Sequence, residues 1–160
     1  MQRSEEIYAE HHDAVRAYVR RRAHEDVVDD IVSETFLVCL RKIDVVPDEA
    51  LPWLYAVARK TLANHRRRLA RQAPAHAGVG GEPDPVGDVL LAAAFAELSE
   101  RDREVLRLVA WEGLPLRDAA VALGCSAVAC RVRYHRAKSR LASRLSAAAS
   151  FRPDTEGVTR

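Results

Sequence analysis

Apolar residues recur along the chain at spacings of three and four, while β-branched alternation and hairpin turn dipeptides are absent, so the pattern predicts an all-α fold. Ile7, Ala14, Val15 and Tyr18 predict a helix over about 4–22, ending in Arg20, Arg21 and Arg22, cations that suit a helix C-terminus. A second helix is expected to open among Asp26, Asp29 and Asp30, to carry Ile31, Thr35, Val38 and Cys39 on one side, and to close at Arg41 and Lys42. A loop holding Pro47 and Pro52 then leads into a helix over about 53–70. Trp53, Leu54, Val57, Ala58, Thr61 and Leu62 form its apolar stripe, and Arg59, Lys60, Asn64, Arg66 and Arg67 its other face.

Further along, Ser99 is placed to cap a helix running to about Trp111, with Asp102 in a capping-box position and Val105, Leu106, Leu108 and Val109 as the apolar face. Gly113 stops it. Leu116, Ala119, Ala120 and Leu123 make a short helix, Gly124 supplies a left-handed residue at its end, and Ser126 can cap the next one. This is a helix-turn-helix pattern: Ala120 is small where two helices cross, and Cys130 plugs the core between them. Cys130, Tyr134, Ala137 and Leu141 share one face of the last helix. The opposite side offers Arg131, His135 and Lys138, flanked by Arg133, Arg136 and Arg140, the long cationic donors a recognition helix uses on guanine edges and phosphates.

Between the two helical halves, residues 72–88 (QAPAHAGVGGEPDPVGD) hold seven Gly or Pro in 17 positions and no periodic apolar pattern, which reads as a flexible tether. The halves are therefore expected to be two small folding units, neither very stable alone. Charge sharpens the picture. The net charge of +2 is uninformative, but residues 59–71 and 131–144 each hold six Lys or Arg and no acid. Two separated basic stripes on an otherwise acidic chain point to a polyanion held at two places. No apolar run approaches the length of a membrane span, and the charged N-terminus has no secretory core, so a cytoplasmic protein is expected. Cys39, Cys125 and Cys130 lack zinc or disulfide spacing and are expected to be packed thiols.

Taken in order, these segments resemble the extracytoplasmic-function (ECF) group of sigma-70 RNA polymerase sigma factors. DDIVSETFL at 29–37 is similar to the polymerase-binding helix of region 2, and PWLYAVARKTLANHRRR at 52–68 to the promoter-melting helix. LSERDREVLRL at 98–108, with the helix-turn-helix after it, is similar to region 4. The resemblance implies a region 2 domain over 1–71, a linker over 72–95, a region 4 domain over 96–146 and a tail over 147–160. It implies core polymerase as partner, through its β′ coiled coil and β flap, with Asp30, Ser33 and Glu34 on the β′ side; the family more often has Gln at the position of Ser33. Promoter DNA is the other implied partner. Arg59, Lys60, Asn64, Arg66 and Arg67 would serve the −10 element, beside a base pocket in the loop over about 44–52. Arg117, Ser126, Arg131, Val132, His135, Arg136, Lys138 and Arg140 would serve the −35 element, with Arg117 as a phosphate clamp. Val132 replaces a commoner small polar residue and can meet a thymine methyl but donates no hydrogen bond. Glu82, Asp84 and Asp88 would sit in the basic polymerase channels, and an anti-sigma partner is left open.

Two other classes compete. A freestanding regulator with a sensing N-terminal half would have no use for the basic stripe in that half. An enzyme is disfavoured, since HExxH, GxSxG and P-loop patterns are absent and the adjacent His11 and His12 point to different helix faces. No cofactor and no metal site is expected.

Overall fold

The computed structural model describes residues 1–72 and 89–151. Residues 73–88 of the expected tether and 152–160 of the expected tail lie outside the described residues. Among the described residues there is no strand, and α-helices follow in the order α1 (Gln2–Arg20), α2 (Glu25–Arg41), α3 (Ala50–Gln72), α4 (Val89–Ala96), α5 (Glu100–Ala110), α6 (Leu116–Leu123) and α7 (Ala127–Ser150), with a 3-10 turn at Ile43–Val45.

α1, α2 and α3 pack as a three-helix cluster. Val15, Tyr18 and Val19 of α1 meet Val28, Ile31 and Val32 of α2 and Leu54, Ala58 and Leu62 of α3, all nearly removed from solvent. Thr35, inside this core, donates its hydroxyl to the Ile31 carbonyl at 2.7 Å, which satisfies the polar group without a distant partner. α3 begins earlier than its apolar stripe suggested. Pro52 lies in its first turn, where a missing N–H leaves no helical bond unmade, so it belongs to the helix and not to the preceding loop. Tyr55 is buried on α3, while Trp53 is only half-buried against the core and Val57 is half-buried.

In the second half, Ser99 caps α5, its hydroxyl accepting from the Asp102 amide at 3.2 Å. The Asp102 carboxylate faces α7, where it accepts from Arg140 Nη1 at 2.6 Å, so the expected reciprocal capping box is realised only on the serine side. α4 occupies the end of the linker expected over 72–95 and contributes Ala94 and Phe95 to the core. Phe95 packs edge-on to Trp111 at 5.5 Å. α7 continues to Ser150, past the expected domain end at 146.

The turn between α6 and α7 follows from two residues. Gly124 adopts φ 68° and ψ 36°, and the amides of Gly124 and Cys125 bond back to the carbonyls of Val121 and Ala120, a Schellman closure that only a left-handed residue permits cheaply. Ser126 then caps α7, accepting from the Ala129 amide at 3.1 Å. Ala120 and Cys130 are both buried in the core where α6 and α7 pack together.

The two halves are packed together. Their apolar residues form one contiguous core, and α3 lies along α6. The contacts between the halves are both apolar and polar and are long-range in sequence, which a periodic apolar pattern does not encode.

Candidate nucleic-acid and partner interfaces

Asp30, Ser33 and Glu34 lie exposed on the outer side of α2, away from its buried stripe. Spacings of three and four put them on one face. Ser33 borders an apolar groove of about 500 Å³ between α1 and α2, lined by Tyr8, Phe36, Leu37 and Leu40, with Glu5 at its rim. Leu37, Leu40 and Tyr8 are each about half exposed, far more than core residues of their kind. The sequence reading missed this groove, although Leu37 and Leu40 stand outside the Ile31–Thr35–Cys39 stripe and could have flagged it. Glu34 also lies 4.0 Å from Arg68 of α3.

The five candidate −10 residues divide into two groups. Lys60, Asn64 and Arg67 are exposed on α3, and Arg67 donates to Asn64 Oδ1 at 3.3 Å. Arg59, half-buried, and Arg66, exposed, instead bond to other parts of the chain. Arg59 donates through Nε to the Ala122 carbonyl at 3.1 Å and through Nη2 to the Leu123 carbonyl at 3.2 Å. These are the last two carbonyls of α6, the ones its Schellman closure leaves without partners. Arg66 donates to the Arg22 carbonyl at 2.7 Å and lies 4.0 Å from Glu100 of α5. The loop before α3 is fastened from the N-terminus, because Arg3 donates to the carbonyls of Ile43, Val46 and Pro47 and pairs with Asp48 at 3.7 Å. Arg3 went unread in the sequence because nothing local links it to a segment forty residues on.

α7 carries the candidate −35 residues. Arg131, Val132, His135, Arg136, Lys138 and Arg140 are all exposed. Val132, Arg133, Arg136 and Arg140 line a shallow depression of about 360 Å³ with Asp102 at its floor. Lys138 lies over the Tyr134 ring at 5.3 Å. Arg117 projects from the start of α6, its side chain mostly exposed and 3.6 Å from Asp118. Ser126 uses its hydroxyl on the helix cap.

Where the halves meet, Arg22 is buried at 4% exposure. Its guanidinium donates to both Glu104 oxygens, at 3.2 and 3.0 Å, and to both Glu112 oxygens, at 3.2 and 3.0 Å, as well as to the Tyr18 carbonyl at 2.9 Å. Tyr18 donates to Glu104 at 2.8 Å, and Arg21 to Glu112 at 2.8 Å. The Arg22 guanidinium sits 3.6 Å over the Tyr18 ring, which stacks on Tyr55. Burial, with the nearby Glu104 charge, pushes the Tyr18 hydroxyl well above its ordinary value. Burial alone would lower the Arg22 guanidinium, but Tyr18, Glu104 and Glu112 outweigh it and hold it charged. Burial raises Glu100, yet the hydrogen bond from Arg103 and the charges of Arg103, Arg107 and Arg66 bring it below the usual carboxylate range.

Cys39 and Cys130 are buried free thiols and Cys125 is half-buried. No group of three or more potential metal ligands occurs among the described residues. No helix among them is long and apolar enough to cross a membrane.

This architecture, a three-helix cluster followed by a helix-turn-helix domain, is shared with known proteins. Residues 7–72 match the family model of sigma-70 region 2, and residues 88–141 that of sigma-70 region 4. The ECF RNA polymerase sigma factor SigF of Caulobacter vibrioides is 34% identical over 142 residues, spanning 82% of this chain and 79% of that protein. SigC of Mycobacterium tuberculosis, also an ECF sigma factor, is 32% identical over 127 residues, spanning 71% and 67%. Among solved structures, the chain is similar to CnrH in complex with the cytosolic domain of CnrY, at TM-score 0.64 and 28% identity, covering 92% and 90% of the two chains. It also shares its fold with RpoE in complex with the anti-sigma factor NepR from Bartonella quintana, at TM-score 0.66 and 23% identity over 91% and 98%. The chain belongs to the sigma-70 family, in its ECF group, and its function lies in transcription initiation.

Proposed function

We propose that the chain docks on core polymerase through the outer face of α2 and reads a bipartite promoter, with α7 on the −35 element and α3 on the −10 element. The observation that carries this is α7 itself: behind a Ser126-capped turn it presents Arg131, Val132, His135 and Arg136 to solvent while Cys130 and Ala137 anchor it. That is the posture in which a recognition helix enters a major groove. Asp30 and Glu34 supply charge for a basic partner such as the β′ coiled coil, and the neighbouring apolar groove supplies area. The same groove is the surface on which an anti-sigma factor would compete. The β flap is assigned to the second half, and the protein works in the cytoplasm, without a catalytic step, metal or cofactor of its own.

The test is transcription from a randomised promoter library with core polymerase and the native chain, Asp30→Lys/Glu34→Lys, or Arg131→Ala/Arg136→Ala. The native chain should select a defined −35 and −10 pair. The α2 variant should lose core binding while remaining folded, and the α7 variant should keep core binding but lose −35 preference, each arginine contributing about 1–3 kcal/mol of discrimination. An α7 variant that weakens every promoter equally and keeps the selected motif would show that these arginines do not read bases.

A further inference from the structure

Two of the three cysteines flank the cap of α7. Ser126 makes the cap, Cys125 stands one residue before it and Cys130 four residues after it, the two positions whose side chains meet across the first turn of a helix. Here the meeting groups are thiols. Cys125 is within hydrogen-bond reach of Cys130, which lies in the core, and Cys125 packs against that core. They differ in access: Cys130 is wholly buried, while Cys125 is half-buried and open to small solutes. Cys39, the third thiol, is buried in the first half with the Arg3 charge nearby.

We propose that Cys125 and Cys130 form a dithiol site that a hydroperoxide converts to an intrachain disulfide, and that this bond weakens −35 reading by shifting the first turn of α7. The second clause rests on the reading of α7 as the −35 helix.

Cys125 is the sulfur that an oxidant can reach. As thiolate it attacks one oxygen of hydrogen peroxide: an S–O bond forms, the O–O bond breaks, and the departing hydroxide takes up the thiol proton and leaves as water. The Cys130 sulfur then displaces hydroxide from the Cys125 sulfenic acid, which forms the S–S bond, breaks the S–O bond and releases a second water carrying the Cys130 proton. Both thiols together give up two electrons and two protons, and the peroxide takes them. Burial, with the charge and hydrogen bond of Cys125, pushes the Cys130 thiol above its ordinary value. Alone it is therefore inert, and the electrophile within its reach is the sulfur beside it.

The effect on α7 is mechanical. The backbone at both cysteines is already tied, the Cys125 amide to the Ala120 carbonyl at 3.1 Å and the Cys130 amide to the Ser126 carbonyl at 2.9 Å. A disulfide brings its sulfurs closer than any contact between thiols, so closing it draws Cys125 onto the α7 turn, and the Ser126 cap between them must absorb the movement. Arg131 and Val132 follow directly on Cys130 and move with it.

The experiment uses the full chain, oxidised with hydrogen peroxide and desalted. One portion is alkylated in denaturant and digested with trypsin, which leaves both sulfurs in the peptide 118–131. That peptide should be two hydrogens lighter and take no alkyl group, whereas Cys39 should take one. The other portion is combined with core polymerase and assayed for initiation from a promoter selected by the reduced chain, and from the same promoter with its −35 element scrambled. Oxidation should lower initiation from the intact promoter about tenfold, the size of one lost base contact, and dithiothreitol should restore it. The scrambled promoter should respond little. Cys125→Val, which keeps the apolar contact, should resist peroxide in both assays, and Cys125→Ala provides the same comparison if the valine is not accommodated. A peptide 118–131 that takes two alkyl groups after peroxide, or that carries a sulfinic acid on Cys125 with Cys130 free, overturns the dithiol site. A closed disulfide with unchanged initiation, or with an equal loss on both promoters, overturns its effect on −35 reading. A reduced chain that initiates equally from both promoters overturns that effect through the assignment of α7 itself, while the peptide masses still decide the thiol chemistry.

Discussion

Replacing Arg22 by alanine isolates the buried network from the rest of the fold. In the closed arrangement the substitution strands two carboxylates whose side chains are only 8% and 1% exposed. Breaking a buried ion pair from one side costs about 3–5 kcal/mol, a large share of the roughly 5–15 kcal/mol that holds a domain folded. Two partners survive, Tyr18 donating to Glu104 and Arg21 to Glu112, each at 2.8 Å, which places the expected loss at the lower end, about 3 kcal/mol. The chain also has an escape: parting the halves returns both carboxylates to water, so the measured loss cannot exceed the free energy of closing plus what remains unrelieved. Urea unfolding followed by circular dichroism should therefore show a lower midpoint for Arg22→Ala, with an expanded native state in scattering. Arg22→Met/Glu104→Gln/Glu112→Gln, which leaves no stranded charge, should recover most of the loss. A loss below about 1 kcal/mol with an unexpanded native state would refute the reasoning, because it would mean two carboxylates stay buried without the arginine between them at almost no cost.

Two further outcomes follow from local geometry. Gly124→Ala should cost about 1–2 kcal/mol in urea unfolding from the left-handed backbone alone, since φ is 68° and the added Cβ meets only ordinary contact; Gly113→Ala, at φ 67° in open space, should match it if Arg59 tolerates the methyl group. Tyr55 is pushed by burial, and by the Glu112 charge, from the ordinary 10.0 up to about 12. The folded state thus prefers the neutral phenol, so its contribution of about 3 kcal/mol is fully present below pH 10 and is lost as the pH rises through about 12, which tyrosinate absorbance and circular dichroism measured together should register as a coupled change.

What the sequence exposes and what it hides divide along range. The helix-turn-helix was legible because its determinants are neighbours: Gly124 needs only its own backbone, Ser126 caps an amide three residues on, and Cys130 and Ala137 share a face by periodicity alone. α4 was hidden, since VLLAAAFA is apolar on every side and offers no stripe to set a period, and it follows directly on a Gly/Pro-rich segment. Arg22 read as an ordinary cation at the end of a helix, and Glu104 drew no reading at all. A helical pattern gives the side a charge occupies and says nothing of a partner eighty residues away. Arg59 and Arg66 were likewise read by type, as cations on a basic face, and their internal carbonyl partners are visible only once α3 and α6 lie together.

The carbonyl partners of Arg59 bear on how a basic helix is kept from sticking to any polyanion. The carbonyls at the end of α6 offer Arg59 oxygen acceptors and part of a negative charge, as phosphate does, but they are held on the same chain. An internal acceptor therefore competes at a high effective concentration without any added affinity. The two competitors differ in what they release. Closing on α6 frees no condensed counterions, whereas engaging a nucleic-acid backbone does, and that gain falls as salt rises. Near physiological ionic strength, isolated contacts of Arg59 and Arg66 with stray single strands thus work against an acceptor already in place.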